Sequence, residues 1–131
     1  GYFLKIEKNL INMTKETNDN IRMNCEFRGH PLPTIRWLKN EAPVEQERPK
    51  IHIKQKILTS GRIRSRLIIN QIDTHDQGYY KCEASNAAAT LDSTGILLVR
   101  AGHIHPAGAP IPLPDYAPLY PNVDFPGLGG R

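Results

Sequence analysis

The chain has 131 residues and a formal net charge of +4, which leaves room for one domain of common size with a single hydrophobic core. No apolar run approaches the roughly 18–20 residues that a membrane-spanning helix needs, so direct membrane insertion is not expected. The short apolar stretch at the start is followed at once by a lysine and does not resemble a secretory signal. If the protein is secreted or anchored in a membrane, its signal and its anchor are expected outside this piece.

Apolar and polar residues alternate in short runs up to about residue 100, with turn-forming residues between the runs. Period-two alternation is typical of half-buried strands, and the segment 29–33, with two prolines, breaks any regular element. In chain order, strands are predicted at residues 21–27, 35–38, 50–54, 66–69, 79–84 and 95–99. Because no convincing helical stretch separates them, the sequence predicts an all-β sandwich or barrel.

The chain has two cysteines, Cys25 and Cys82. An even number permits one disulfide, and their wide separation argues against a metal site. Such a disulfide would imply an oxidising compartment. Asn12-Met13-Thr14 fits the acceptor sequence for N-glycosylation at Asn12 and points to the same compartment.

The order of the cysteines and the single tryptophan favours the sandwich. Cys25, Trp37 and Cys82 follow the Cys–Trp–Cys order of an immunoglobulin domain, in which the indole packs on an inter-sheet disulfide. Tyr80, two residues before the second cysteine, is expected to form a tyrosine corner. Gly78 is expected to allow the tight turn before that strand. The other fold-signature residues are Leu67, expected in the core, and Asp76, which completes the string Asp-x-Gly-x-Tyr-x-Cys.

Longer strings resemble a known family. Gly29-x-Pro31-x-Pro33-x-x-x-Trp37 and the Leu67-to-Cys82 signature are similar to I-set immunoglobulin domains of adhesion molecules and receptors. The strings at 1–4, 36–44, 65–67, 73–80 and 94–100 resemble the amino-terminal domain of the ROR receptor tyrosine kinases. The resemblance covers residues 1–100 and implies a two-sheet I-set sandwich in the ectodomain of a cell-surface receptor.

The implied parent is a single-pass receptor of Wnt-type signalling, with this domain on the extracellular side of the plasma membrane. Residues 101–131 do not match the Frizzled-like domain that follows in ROR receptors and is usually credited with Wnt binding, so that activity is not carried over to this chain. A cell-adhesion molecule or a secreted matrix protein carrying the same module is the alternative parent.

Residues 101–131 are rich in proline and glycine. Proline cannot donate to a strand ladder and disfavours helix in the residue before it, so this stretch is predicted to be a disordered, extended linker. Its Pro118-Leu119-Tyr120-Pro121 string matches a proline-spaced recognition motif, but a spacer is the preferred interpretation outside the cell.

No catalytic or cofactor-binding motif is recognised, because the sequence lacks a Gly-x-Ser-x-Gly elbow and a phosphate-binding glycine loop. His75 lies between Asp73 and Asp76, which would suit acid–base chemistry, but a turn before the tyrosine-corner strand is preferred. His103 and His105 offer only two ligands, a poor metal site. A non-catalytic binding or spacing role without cofactor or metal is predicted.

A basic segment is the main candidate for ligand binding, because no acidic residue lies between Arg48 and Ile72. Side chains two apart on a strand share a face, so two paired strands here would present their cations outward on one sheet, with Arg22 nearby. Such a surface attracts polyanions, and outside the cell the expected one is heparan sulfate. A solvated face that protects the sheet edge is the structural alternative. The candidate glycan-binding residues are Lys50, Lys54, Lys56, Arg62, Arg64 and Arg66.

Nucleic acid is not an expected partner, because no aromatic stacking platform is interleaved with these cations. The opposite sheet offers a second candidate surface, for contact with an extracellular protein or a neighbouring receptor domain. Leu38, Ile96 and Leu98 have outward parity if their neighbours point into the core, and clustered exposed apolar residues can mark a protein contact.

Overall fold

Two β-sheets pack face to face in the computed structural model, which describes residues 1–102. The first sheet has the strand order β1-β3-β7-β6 and the second β2-β9-β8-β4-β5. A single 3-10 turn, Thr74–Asp76, precedes β8 in this part of the chain. The strands are β1 (Phe3–Lys8), β2 (Met13–Glu16), β3 (Ile21–His30), β4 (Thr34–Lys39), β5 (Ala42–Pro43), β6 (Ile51–Ile57), β7 (Arg62–Ile69), β8 (Gly78–Ser85) and β9 (Thr90–Arg100). The predicted all-β sandwich is confirmed.

Strand alternation builds the core between the sheets. On β3, Met23, Cys25 and Phe27 are buried while the residues between them face outward, apart from the largely covered Glu26. Cys25 forms a disulfide with Cys82 of β8, which joins the two sheets as predicted. Leu67 is also fully buried, in keeping with its expected place in the core.

Trp37 of β4 lies beside this disulfide, since its Cα partner on β8 is Cys82. The indole is 1% exposed, and its Nε1 donates a hydrogen bond of 2.8 Å to the hydroxyl of Ser65. Ser65 is itself fully buried on β7, so this bond crosses from one sheet to the other. A buried indole N–H needs such an acceptor, and the sequence did not identify it.

The first two strands were not predicted. β1 pairs with β3, and β2 pairs in parallel with β9, so the chain changes sheets between Lys8 and Met13. The crossing segment packs tightly on Gly95, where an added Cβ would lie 2.9 Å from the carbonyl oxygen of Ile11. Leu10 is buried there, and its N–H donates to Ser93. The backbone of neighbouring strands therefore holds these short segments in place.

The tyrosine corner forms as predicted, since the Tyr80 hydroxyl donates to the carbonyl oxygen of Asp76. The expected role of Gly78 is wrong, because this residue begins β8 and does not have a positive φ. Its small size matters instead. A Cβ at this position would lie 3.0 Å from the side chain of Asn40, whose Oδ1 accepts from the N–H of Tyr79.

The predicted linker 101–131 lies outside the described residues except for Ala101 and Gly102. The same holds for the histidine pair at 103 and 105 and for the proline-spaced string at 118–121. The N–H of Gly102 donates to the Thr17 hydroxyl at 2.9 Å, so contacts of the sandwich extend two residues past the end of β9.

Candidate functional site

The cations predicted to face outward come together on the first sheet. β6 and β7 pair antiparallel, with Lys54 opposite Arg66 and Lys56 opposite Arg64. Along β7 the buried residues alternate with half-buried arginines, so Arg62, Arg64 and Arg66 share the outer side. Lys54 and Lys56 are exposed. The structure therefore pairs the two strands in the arrangement that the basic-surface hypothesis requires.

This surface extends across β3. Arg28 of β3 is the Cα partner of Arg62, and Arg22 lies further along the same outward row. Lys5 of β1 is opposite Arg28 and extends it again. We call this outward surface the basic face; it consists of Lys5, Arg22, Arg28, Lys54, Lys56, Arg62, Arg64 and Arg66.

Two carboxylates partly neutralise the positive charge of the basic face. Their role was not predicted from the sequence. Glu26 accepts from Arg64 Nε at 3.1 Å, and Glu7 lies 3.3 Å from Arg28 Nε. Glu26 could have been found from its parity, because it alternates with the core residues of β3. Within residues 1–102, Lys54 and Lys56 form no ion pair. These two exposed lysines are therefore available to an external anion.

A shallow groove of about 370 Å³ runs along the junction of β6 and β7. Its lining consists of Lys54, Gln55, Lys56, Arg64 and Arg66. Arg66 Nε donates to Asn24 at 2.8 Å, which holds that guanidinium beside the groove. A groove lined by four cations concentrates positive potential where an anionic chain could lie.

Lys50 does not belong to the basic face, and its predicted position is wrong. It precedes β6, and its Nζ lies 2.7 Å from Asp76 Oδ2 and 3.0 Å from the carbonyl oxygen of Gln71. Asp76 is 8% exposed and also accepts from the N–H of Asp73 at 2.9 Å. Lys50 is therefore tied to the tyrosine corner, because a largely buried carboxylate requires a cationic partner.

We expect replacement of Asp76 by alanine to lower the free energy of unfolding by about 3 kcal/mol, because hydrogen bonds to a charged group contribute about 1.5–3 kcal/mol each. Two donors, Lys50 Nζ and the Asp73 N–H, would lose their acceptor. Urea denaturation measures the change. A cycle with Lys50→Met should give a coupling of about 1 kcal/mol, and additive effects would show that the ion pair contributes nothing.

The second candidate surface is only partly present. Leu38 is 3% exposed, lying between Pro43 of β5 and Lys81 of β8, so its predicted role in a protein contact is wrong. A side chain on the outer side of a strand is not necessarily exposed, because long side chains of the neighbouring strands can cover it. Ile96 and Leu98 are half-buried on β9 and line a groove of about 180 Å³.

The possible acid–base site is a turn. Asp73 caps the 3-10 turn by accepting from the His75 N–H at 2.8 Å, and Asp76 reciprocates by accepting from the Asp73 N–H. The His75 ring lies 3.4 Å from Asp73 but is largely exposed. These contacts form a capping box, which accounts for the spacing of the three residues without catalysis.

Two lysines of the second sheet have shifted pKa values. Burial lowers the pKa of Lys39, an effect that Asp76 and Asp73 oppose. The hydrogen bond from Lys81 Nζ to Glu41 raises the pKa of Lys81. Neither lysine belongs to the basic face, so neither shift bears on that surface.

Residues 1–102 contain no cluster of three or more histidine, cysteine, aspartate or glutamate side chains that could hold an ion. No helix in the same range is long and apolar enough to cross a bilayer.

The chain is similar to short segments of several much longer proteins. Peroxidasin of Drosophila melanogaster is 34% identical over 93 residues, 71% of this chain and 6% of that protein. Human neural cell adhesion molecule 1 is 30% identical over 91 residues, 70% of this chain and 10% of that protein. Vascular endothelial growth factor receptor 1 of Mus musculus is 32% identical over 93 residues, 71% of this chain and 6% of that receptor. The chain thus spans a tenth or less of each relative.

Solved immunoglobulin domains share the fold. A chimeric titin Z1Z2 chain superposes with a TM-score of 0.67 at 22% identity, covering 76% of this chain and 96% of that one. A chain from the complex of titin M10 with obscurin-like 1 superposes with a TM-score of 0.68 at 16% identity. The match covers 79% of this chain and 100% of that one. At these identities the likeness concerns the fold alone. The model of the immunoglobulin I-set domain matches residues 4–99, and the chain therefore belongs to the I-set immunoglobulin family.

Proposed function

We propose that this chain is a non-catalytic recognition module on the extracellular side of the cell surface, and that its basic face binds heparan sulfate. The matched family is one of immunoglobulin domains and not of enzymes. Its relatives include an adhesion molecule and a receptor. The inter-sheet disulfide is compatible with an oxidising compartment outside the cytosol.

The observation that carries the glycan proposal is the regular array of cations on β6 and β7. Residues two apart on a strand are about 7 Å apart, and paired strands are about 5 Å apart. The two cross-strand pairs, Lys54 with Arg66 and Lys56 with Arg64, therefore form a compact lattice of charge. A linear chain with sulfates at regular intervals could contact several of these cations at once, which scattered surface lysines would not permit.

The identity of the parent protein is the finer part of the proposal. A ROR-type receptor in Wnt-type signalling is suggested by the resemblance of strings such as 36–44. The matched relatives include both neural cell adhesion molecule 1 and vascular endothelial growth factor receptor 1, so they are compatible with an adhesion parent and with a receptor parent. The neighbouring sequence of the gene product discriminates between them. Closely spaced cysteines of a Frizzled-like domain downstream would support the receptor, and further Cys–Trp–Cys repeats would support an adhesion protein.

Heparin chromatography tests the basic face. We expect the wild type to elute above physiological salt, and the variant Lys54→Glu, Lys56→Glu to elute much earlier. By analogy with phosphate contacts in protein–DNA complexes, removing each contact should lower the slope of log affinity against log salt by about one. Both lysines are exposed and unpaired among residues 1–102, so their replacement should leave the fold intact.

A matched variant separates a specific face from net charge. Lys15→Glu, Arg100→Glu makes the same change in net charge at exposed positions of the second sheet. It should elute close to the wild type from heparin, while both variants shift equally on a simple sulfonate exchanger. Equal early elution of both variants from heparin would refute a defined glycan site and leave protein recognition as the function of the module.

A further inference from the structure

The groove on the second sheet that is lined by Ile96 and Leu98 lies beside Asn12, the predicted N-glycosylation site. It opens on the outward side of the second sheet where β2 runs parallel to β9, and Thr14 is opposite Leu98 in that pairing. Asn12 and Thr14 are both exposed. The lining consists of Asn12, Met13, Thr14, Ile96 and Leu98. The acceptor sequence and the exposed apolar surface of this sheet therefore coincide.

The side chain of Asn12 is oriented for modification. Its Oδ1 accepts a hydrogen bond of 2.9 Å from the N–H of Ile96, so the oxygen faces the backbone of β9 and the amide nitrogen is left for a glycan. Asn12 and Thr14 line the same groove, so both residues of the acceptor sequence border it. The acceptor motif needs this Asn–Thr spacing, and the glycosylated asparagine must be at the surface.

Apolar side chains of the second sheet lie beside Asn12. Ile96 and Leu98 are half-buried on β9 and line the groove together with Met13. Tyr79 of β8 is the cross-strand partner of Ile96 and continues this strip. Apolar residues clustered at the surface of neighbouring strands can mark a contact site, and the carbon-bound hydrogens of a pyranose ring can pack against such side chains.

We propose that Asn12 carries an N-linked glycan whose first sugars lie over Ile96 and Leu98. This glycan takes the place of a protein partner on the apolar strip. It leaves the basic face free, because that surface lies on the opposite sheet. The inference is independent of heparan sulfate binding, since neither Asn12 nor its groove contributes to the basic face.

Expression of the full chain through a eukaryotic secretory pathway tests occupancy. Intact mass should show a glycan on the wild type that peptide N-glycosidase removes. Thr14→Ser keeps the acceptor sequence and should keep the glycan, whereas Thr14→Val has nearly the same shape and should lose it. Because Thr14→Val retains Asn12 and its bond to Ile96, it is a better control than replacement of Asn12. A wild type that carries no glycan would overturn the proposal.

Methyl NMR of the same samples tests where the glycan lies. Comparison of the glycosylated wild type with its enzymatically trimmed form bearing one sugar and with the unglycosylated Thr14→Val variant should show shifts of the Ile96 and Leu98 methyl signals when the whole glycan is absent. Leu32 and Ile57 are exposed but lie outside this groove, so their signals should not move. A glycan that leaves the Ile96 and Leu98 signals unchanged would overturn the covering role.

Discussion

Replacement of Trp37 by alanine should lower the free energy of unfolding by about 3–5 kcal/mol, a large part of the 5–15 kcal/mol typical of a domain. The indole is 1% exposed, and its removal leaves a cavity beside the disulfide that the rigid sheets cannot fill. It also leaves the buried Ser65 hydroxyl without its partner. Urea denaturation followed by far-ultraviolet circular dichroism measures the loss, because the variant has no tryptophan fluorescence.

Two further variants separate the cavity from the hydrogen bond. Ser65→Ala keeps the indole but leaves its N–H buried without an acceptor, which should cost about 1–3 kcal/mol. Trp37→Phe removes the N–H and part of the ring, so its cost should lie between those of the other two. A Trp37→Ala variant within about 1 kcal/mol of the wild type would contradict the packing of the indole in the core.

Removal of the disulfide should cost about 4 kcal/mol. Cys25 and Cys82 are 57 residues apart in sequence, and cross-linking a loop of this length restricts the unfolded chain by about that amount in the chain-entropy model. The double variant Cys25→Ala, Cys82→Ala should therefore unfold at a much lower urea concentration. It should also show a larger dependence on urea, because its unfolded chain exposes more surface.

The oxidised and reduced wild type provide the control for this variant. Reduction leaves both sulfur atoms in place, so it removes the cross-link without making a cavity. The reduced protein should therefore lose slightly less stability than the double variant. A change of less than about 1 kcal/mol in the free energy of unfolding on reduction would contradict the chain-entropy estimate for this disulfide.

Strands with one buried face were predictable because apolar and polar residues alternate along their sequences. β3, β7 and β8 each place a buried residue at every second position, and these strands were anticipated. β2 consists of Met13–Glu16, a short polar stretch with no strong alternation. It forms a strand because it pairs with the backbone of β9, and this pairing cannot be read from the local sequence.

The basic face shows the same division. Parity along β7 predicted that its three arginines would share one side, because that spacing is a local property. The carboxylate of Glu26 that pairs with Arg64 comes from β3, 38 residues away. Lys50 was assigned to the face by the same parity, but Asp76 binds it instead. The charge that remains free depends on strand pairing, which a single segment does not determine.

The sequence by itself determined the family, the disulfide and the corner formed by Tyr80, because each depends on residue types at short or characteristic spacings. Only the tertiary structure decided that Leu38 is covered, that Ser65 accepts from Trp37, and that the Asn12 groove meets Ile96. The physical reason is that exposure and hydrogen-bond partners depend on which strands become neighbours. Those neighbours are brought together by burial of the whole core.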